Sequence, residues 1–148
     1  MTPVPAGLSG LQFLQHLIDT RQPAPMARTL QFRISEVSDG RAVVLATPGE
    51  HVYNPNGSVH GGYAATLLDT ACGCAAHTRL SPTQAYTTLE LKVAYHRPLT
   101  SNTGEVCAEG LVLAFGKRVA YTEAKLFDAA RRLCASATST LLIFDKPA

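Results

Sequence analysis

Residues 63–79, YAATLLDTACGCAAHTR, predict a helix: they hold no proline and no run of β-branched residues, and apolar or small side chains occupy almost the whole circumference. A helix without a polar face has to be enclosed on more than one side, so the rest of the chain must wrap it. The flanking segments can form a sheet. LQFRISEV (30–37) and RAVVLATP (41–48) alternate apolar and polar residues around the turn signal Ser38, Asp39, Gly40 and predict a hairpin. Four later runs, 85–97, 104–115, 117–128 and 132–144, are rich in Val, Leu, Thr, Tyr and Phe. The breaks between them read as hairpin-length, which predicts an antiparallel meander. Upstream, LSGLQFLQHLIDT (8–20) puts Leu11, Leu14, Leu17 and Ile18 on one helical face, with Ser9 as N-cap. Pro23 and Pro25 break that pattern, so 1–28 is expected to be helix and loop and 30–144 the core. The 148 residues thus predict a single α+β domain in which an antiparallel sheet wraps a long central helix.

Charge and composition exclude several classes. A net charge of +2, dispersed along the chain, does not form the basic stripe that nucleic-acid binding needs. The longest apolar run falls short of the roughly 20 residues of a membrane span, so a soluble chain is expected. With 46% hydrophobic and 16% charged residues, part of the surface is expected to lie in contacts with other copies, making a homo-oligomer. MTPVPAGLSG has no basic region followed by an apolar run, so the expected location is cytoplasmic and Cys72, Cys74, Cys107 and Cys134 are expected to be free thiols. Cys72 and Cys74, two apart on a helix, point about 200° away from each other and cannot share one ion. No metal or other cofactor is expected, because no metal cluster, phosphate loop or dinucleotide fingerprint is present.

The chemistry gathers in NPNGSVHGG (54–62), an irregular loop, and in the helix it opens. His60, Gly61 and Gly62 stand at the helix start, where unpaired amides and the helix dipole favour negative charge and glycines admit a ligand close to the backbone. That is the chemistry of an oxyanion hole. Asp69 lies two turns in, between Leu67, Leu68, Ala71 and Cys72, where desolvation opposes ionisation. Singly these features are bland. Paired glycines commonly make a loop-to-helix turn, a helical carboxylate is commonly structural, and a histidine can simply cap a helix.

Together they resemble a known family. NPNGSVHGGYAATLLDTACG is similar to the hotdog-fold acyl-CoA thioesterases of the phenylacetate-degradation and acyl-CoA thioesterase 13 type, in which HGG precedes a carboxylate nine residues after the His. TTLELKVAYHRP (87–98) looks like that family's central strand and GKRVAYTEAKLFD (116–128) like its next-to-last, so the resemblance covers roughly 30–144. It implies a hotdog fold and hydrolysis of an aromatic or medium-chain acyl-CoA. It further implies Asp69 as nucleophile or general base, the Gly61 amide as oxyanion donor with His60 beside it, and Asn54 placing the carbonyl or the water. Alignment through Tyr95 and Pro98 puts a water-orienting hydroxyl at Thr88. Strand alternation instead groups Thr87 with Leu89, Leu91 and Val93, so both threonines stand as candidates. Gly62 and Tyr63 are candidates to contact the acyl group, and Arg97, Lys117 and Arg118 to contact the CoA phosphates. His51, His77 and His96 read as surface or packing residues.

Helix arithmetic adds one constraint. Gly61 and Asp69 are separated by about 12 Å along the axis, too far to touch one carbonyl group. The simplest solution is a two-fold dimer in which Asp69 of one chain faces Gly61 of the other. The family resemblance extends this to a dimer of dimers, a homotetramer. The alternatives are an acyl-CoA-binding module without turnover, and a hotdog dehydratase or hydratase, whose acid and His stand in motifs absent here.

Overall fold

The apolar stretch forms one uninterrupted helix over Gly61–His77 in a computed structural model that describes residues 3–147. It is preceded by α1 (Gly10–Asp19), α2 (Pro25–Leu30), β1 (Phe32–Ser38), β2 (Arg41–Ala46) and a 3-10 turn at Glu50–Val52. The helix itself is α3, and β3 (Gln84–Tyr95), β4 (Val106–Phe115), β5 (Val119–Phe127) and β6 (Leu133–Asp145) follow it. Leu67, Leu68, Ala71, Cys72, Ala75 and Ala76 are fully enclosed. Burying each leucine contributes about 1.5–3 kcal/mol.

All pairings in the six-stranded sheet are antiparallel, in the order β1-β2-β4-β5-β6-β3. The sheet touches α3 through every strand, which is the hotdog arrangement. The predicted simple meander is corrected here. Strands β4, β5 and β6 do follow one another, but β3 lies beyond β6 at the edge, and β4 pairs with β2 instead of β3. The reason is loop length: hairpin loops of about two to five residues force neighbouring strands together, whereas 96–105 is long enough to cross the end of the sheet. The N–H groups of His96 and Arg97 both bond the Cys134 carbonyl, which turns the chain away at the end of β3.

Two local expectations also change. Pro25 does not end helical structure but starts α2 as its first residue, where a missing N–H costs nothing, so 25–30 is helix and β1 begins at Phe32. Ser9 caps α1 as predicted, in a capping box with Gln12.

Close approach between helix and sheet depends on residues without side chains. A Cβ placed on Gly110 in β4 would run into the Ala71 carbonyl of α3, and one on Gly73 would meet the Tyr86 hydroxyl at 2.5 Å. Three contacts pair α3 with β3 in opposite chain sense: Gly61 against Tyr95, Asp69 against Thr88, and Gly73 against Tyr86. The helix therefore runs antiparallel along the edge strand. Gly110→Ala is expected to destabilise the protein by about 2–3 kcal/mol, the upper part of the range for overpacking, because the obstacle is backbone and cannot rotate away. Urea unfolding monitored by circular dichroism measures it, and an unchanged midpoint would refute the close approach.

Candidate active site

The first turn of α3 is held from several directions. His60 is the N-cap, and its Nδ1 accepts the Gly62 N–H at 2.8 Å. A neutral imidazole accepting at Nδ1 carries its proton on Nε2, so Nε2–H is the donor the ring has left. The His60 backbone N–H bonds the Val52 carbonyl, and the Tyr63 N–H bonds the His60 carbonyl. The Gly61 N–H has no hydrogen-bond partner among the described residues. It is the open amide at the positive end of the helix.

Beside it lies a cleft of about 330 Å³ lined by His60, Gly61, Ala64, Tyr95, Arg97 and Leu99, among others. Its wall is largely apolar, and Arg97 forms no ion pair among the described residues. An acyl thioester whose carbonyl met the Gly61 amide would have this apolar wall beside it and a free guanidinium within the same cleft.

Asp69 stands two turns further along. The sequence places it among buried apolar neighbours, but it is only half-buried, because Leu67, Leu68, Ala71 and Cys72 point into the core while its own face of the helix looks toward β3. There Thr88 Oγ1 donates to Asp69 Oδ1 at 3.0 Å. Of the two threonine candidates it is Thr88 that meets the carboxylate, and Thr87 is exposed. The cause is a β-bulge: the pairing of β3 with β6 skips a residue between Thr88 and Glu90, leaving Leu89 unpaired. The extra residue shifts the alternation by one. Tyr86 and Thr88 therefore face α3 before the bulge, and Leu91, Val93 and Tyr95 face it afterwards.

The other candidates fall in different places. Asn54 spends its side chain within its own loop, its Oδ1 accepting the N–H groups of Asn56 (2.9 Å) and Ser58 (3.3 Å) and its Nδ2 donating to Ser58 Oγ at 3.1 Å. It shapes the loop before His60 and makes no contact with Asp69. Gly62 has its amide occupied by His60. Tyr63 is a core residue, in the same buried cluster as Val44 and Leu67 and absent from the cleft wall, and its hydroxyl is buried without a partner among the described residues. Lys117 and Arg118 sit in the β4–β5 turn with Phe115 and Tyr121 around an open hollow of about 500 Å³. Phe115 packs against the buried cluster of Ala76, Leu80, Ala120, Leu141 and Ile143, which places that turn toward the C-terminal end of α3, away from Gly61 within one chain. Tyr95, used in the sequence only as an alignment marker, is the residue that was missed. Its hydroxyl donates to the Gly61 carbonyl at 2.7 Å. Finding it in the sequence required the bulge, which puts Tyr95 on the same face as Thr88.

The cysteines belong to packing. Burial pushes the Cys72 thiol up to about 11, with the nearby Asp69 charge adding to the effect against a hydrogen bond to Thr122. Cys74 is pushed up to about 12 by burial and then by the Asp69 charge. Among the described residues no group of His, Cys, Asp and Glu is arranged to hold a metal ion, and no helix is long and apolar enough to cross a membrane.

A curved antiparallel sheet around a helix, an open amide at the helix start and a tethered carboxylate two turns in define a hotdog protein with a candidate acyl-thioester site. The Thioesterase superfamily profile matches residues 56–135, and the chain belongs to that family. It is 36% identical over 95 residues to a putative esterase of Halobacterium salinarum, a match that spans 61% of this chain and 61% of that relative's length. It is 26% identical to the 1,4-dihydroxy-2-naphthoyl-CoA hydrolase of Listeria monocytogenes over 82% of this chain and 97% of that one. Among solved structures, a mutant of the phenylacetic acid degradation protein PaaI from Thermus thermophilus superposes with a TM-score of 0.73 at 25% identity, covering 80% of this chain and 98% of that one.

Both helical thiols should be inert in the folded protein. A thiol at about 11 is ionised to roughly one part in a thousand at pH 8, and enclosure blocks what remains. Titration with Ellman's reagent should therefore find Cys72 and Cys74 silent until guanidinium unfolds the chain. Rapid reaction of all four cysteines in the native state would contradict this packing.

Proposed function

We propose that the protein hydrolyses acyl-CoA thioesters, with the Gly61 amide as oxyanion donor and Asp69 as nucleophile or general base. The observation that carries this reading is the Thr88–Asp69 hydrogen bond, which ties down one carboxylate oxygen and leaves the other free for chemistry. The thioester carbonyl oxygen accepts from the Gly61 N–H, where the helix dipole stabilises the negative charge that develops as the carbon becomes tetrahedral. The free Asp69 oxygen either adds to the carbonyl carbon or takes a proton from the water that does. The C–S bond then breaks and the CoA thiolate takes up a proton on leaving; where water has attacked, the free acid is released, and where Asp69 has attacked, water hydrolyses the resulting mixed anhydride to the free acid and restores the carboxylate. His60 supports the site by fixing the first turn, and Asn54 does so by shaping the loop that delivers His60.

Because about 12 Å of helix separates Gly61 from Asp69, the active form is a two-fold dimer with two equivalent composite sites. Of the two edge strands, β1 and β3, it is β3 that carries Thr88 and would meet the second copy. The acyl group is aromatic or of medium length. The largely apolar cleft supports this, as does the aromatic acyl-CoA named for the Listeria relative, which matches along nearly its whole length. Arg97 meets a CoA phosphate in this reading, which its position in the wall of the same cleft as Gly61 supports. Lys117 and Arg118 serve only if the second subunit brings its Gly61 toward them.

Thiol release from a panel of aromatic and medium-chain acyl-CoAs tests the chemistry. Asp69→Asn should lower kcat by about a hundredfold or more with KM changed far less, and Thr88→Val by about tenfold, while Thr87→Val should stay close to wild type. Equal release from wild type and Asp69→Asn would sink the assignment.

The composite site has its own test. In a mixture of Asp69→Asn chains with Gly61→Pro chains, which lack the donating N–H at a first helical position that tolerates proline, about half of the dimers are hybrids, and each hybrid holds one intact site, so about a quarter of wild-type activity should return. No recovery after subunit exchange would mean that each site lies within one chain.

A further inference from the structure

The Gly61–Gly62 peptide is gripped at both ends. Its carbonyl accepts from the Tyr95 hydroxyl at 2.7 Å, and its N–H donates to His60 Nδ1 at 2.8 Å. We propose that Tyr95 is a positioning residue for the oxyanion hole, clamping this peptide so that the neighbouring Gly61 N–H points into the cleft; the inference rests on the thioesterase reading above. Three observations support it. First, the anchor is rigid: Tyr95 is the last residue of β3, paired with Ala135, and the chain is pinned just beyond it by two hydrogen bonds to the Cys134 carbonyl. Second, the fit is close. A Cβ on Gly61 would stand 3.1 Å from the Tyr95 hydroxyl oxygen and 3.2 Å from the ring carbon bearing it, so the ring lies against the residue that carries the open amide. Third, packing within the chain does not account for the residue, since 56% of the tyrosine is exposed where an apolar core residue would be covered.

The hydrogen bonds run in one direction, from the tyrosine hydroxyl to the peptide carbonyl and from that peptide's N–H to the imidazole. Each donor polarises the next, so loss of the hydroxyl weakens the His60 contact as well. With either end released, the first turn of α3 can rotate, and the Gly61 amide loses its aim during the step in which charge develops on the carbonyl oxygen.

Tyr95→Phe removes the hydroxyl and keeps the ring over Gly61. In the wild-type oligomer background, kcat should fall about three- to tenfold, the span expected for one hydrogen bond, with KM within about twofold and the thermal unfolding midpoint unchanged. Hydrogen exchange at the Gly62 amide should quicken by a similar factor. Unchanged kcat in a folded variant would overturn the proposal, as would a loss that merely follows lowered stability. Asp69→Asn, assayed alongside, separates the two levels: thiol release by wild type that is abolished in Asp69→Asn but untouched in Tyr95→Phe rejects the positioning role and leaves the thioesterase intact. If wild type releases no thiol from any acyl-CoA, the parent reading fails and takes the positioning role with it.

Discussion

Enclosure of α3 is the constraint on which the rest of this protein depends. Apart from the partly exposed Thr66, Asp69 and Thr70 its residues offer little polar surface to water, and the sheet encloses it by coming so near that Gly110 has no room for a methyl group against the Ala71 carbonyl. Small residues on the sheet side, Ala108, Ala120, Ala124, Ala135 and Ala137, line the same contact. What this packing stabilises also defines what it leaves over. The first turn emerges at the sheet's end with an open amide, and the face bearing Asp69 meets an edge strand instead of an interior one.

Much of this was legible in the sequence because it followed from local rules. The lack of polar positions over 63–79 announced the buried helix, the hairpin turn at Ser38–Gly40 joined β1 to β2, and Ser9 marked the start of α1. Strand order was not legible, because pairing across 96–105 is a tertiary choice that loop length permits but does not dictate. The face of Thr88 was hidden for a different reason. Strict alternation carries a strand's phase from one end to the other, and an unpaired residue at Leu89 reverses it without a glycine or proline to signal the change. For the site, the types and spacing of His60, Gly61 and Asp69 stood out, while the engagement of Asn54 with its own loop and the bond from Tyr95 to Gly61 required coordinates.

The two halves of the proposed site differ in how they are built. The donor half is backbone, set at a helix start and held by His60 and Tyr95 from either side. The acid half is a side chain, with a single hydroxyl deciding which of its oxygens remains free. In the proposed dimer, dividing the work along one helix makes each half simple to fold and places the demand for precision on how two chains meet.

The bulge at Leu89 bears on that meeting. An edge strand invites any passing strand to add to it, and proteins commonly blunt such edges. Here the same extra residue that turns Thr88 inward interrupts the outer row of N–H and C=O groups partway along β3. The bulge divides β3 into two short regular stretches, 84–88 and 90–95, so in the proposed dimer a sister chain can dock in few registers and an extended foreign peptide finds too short a template to grow on.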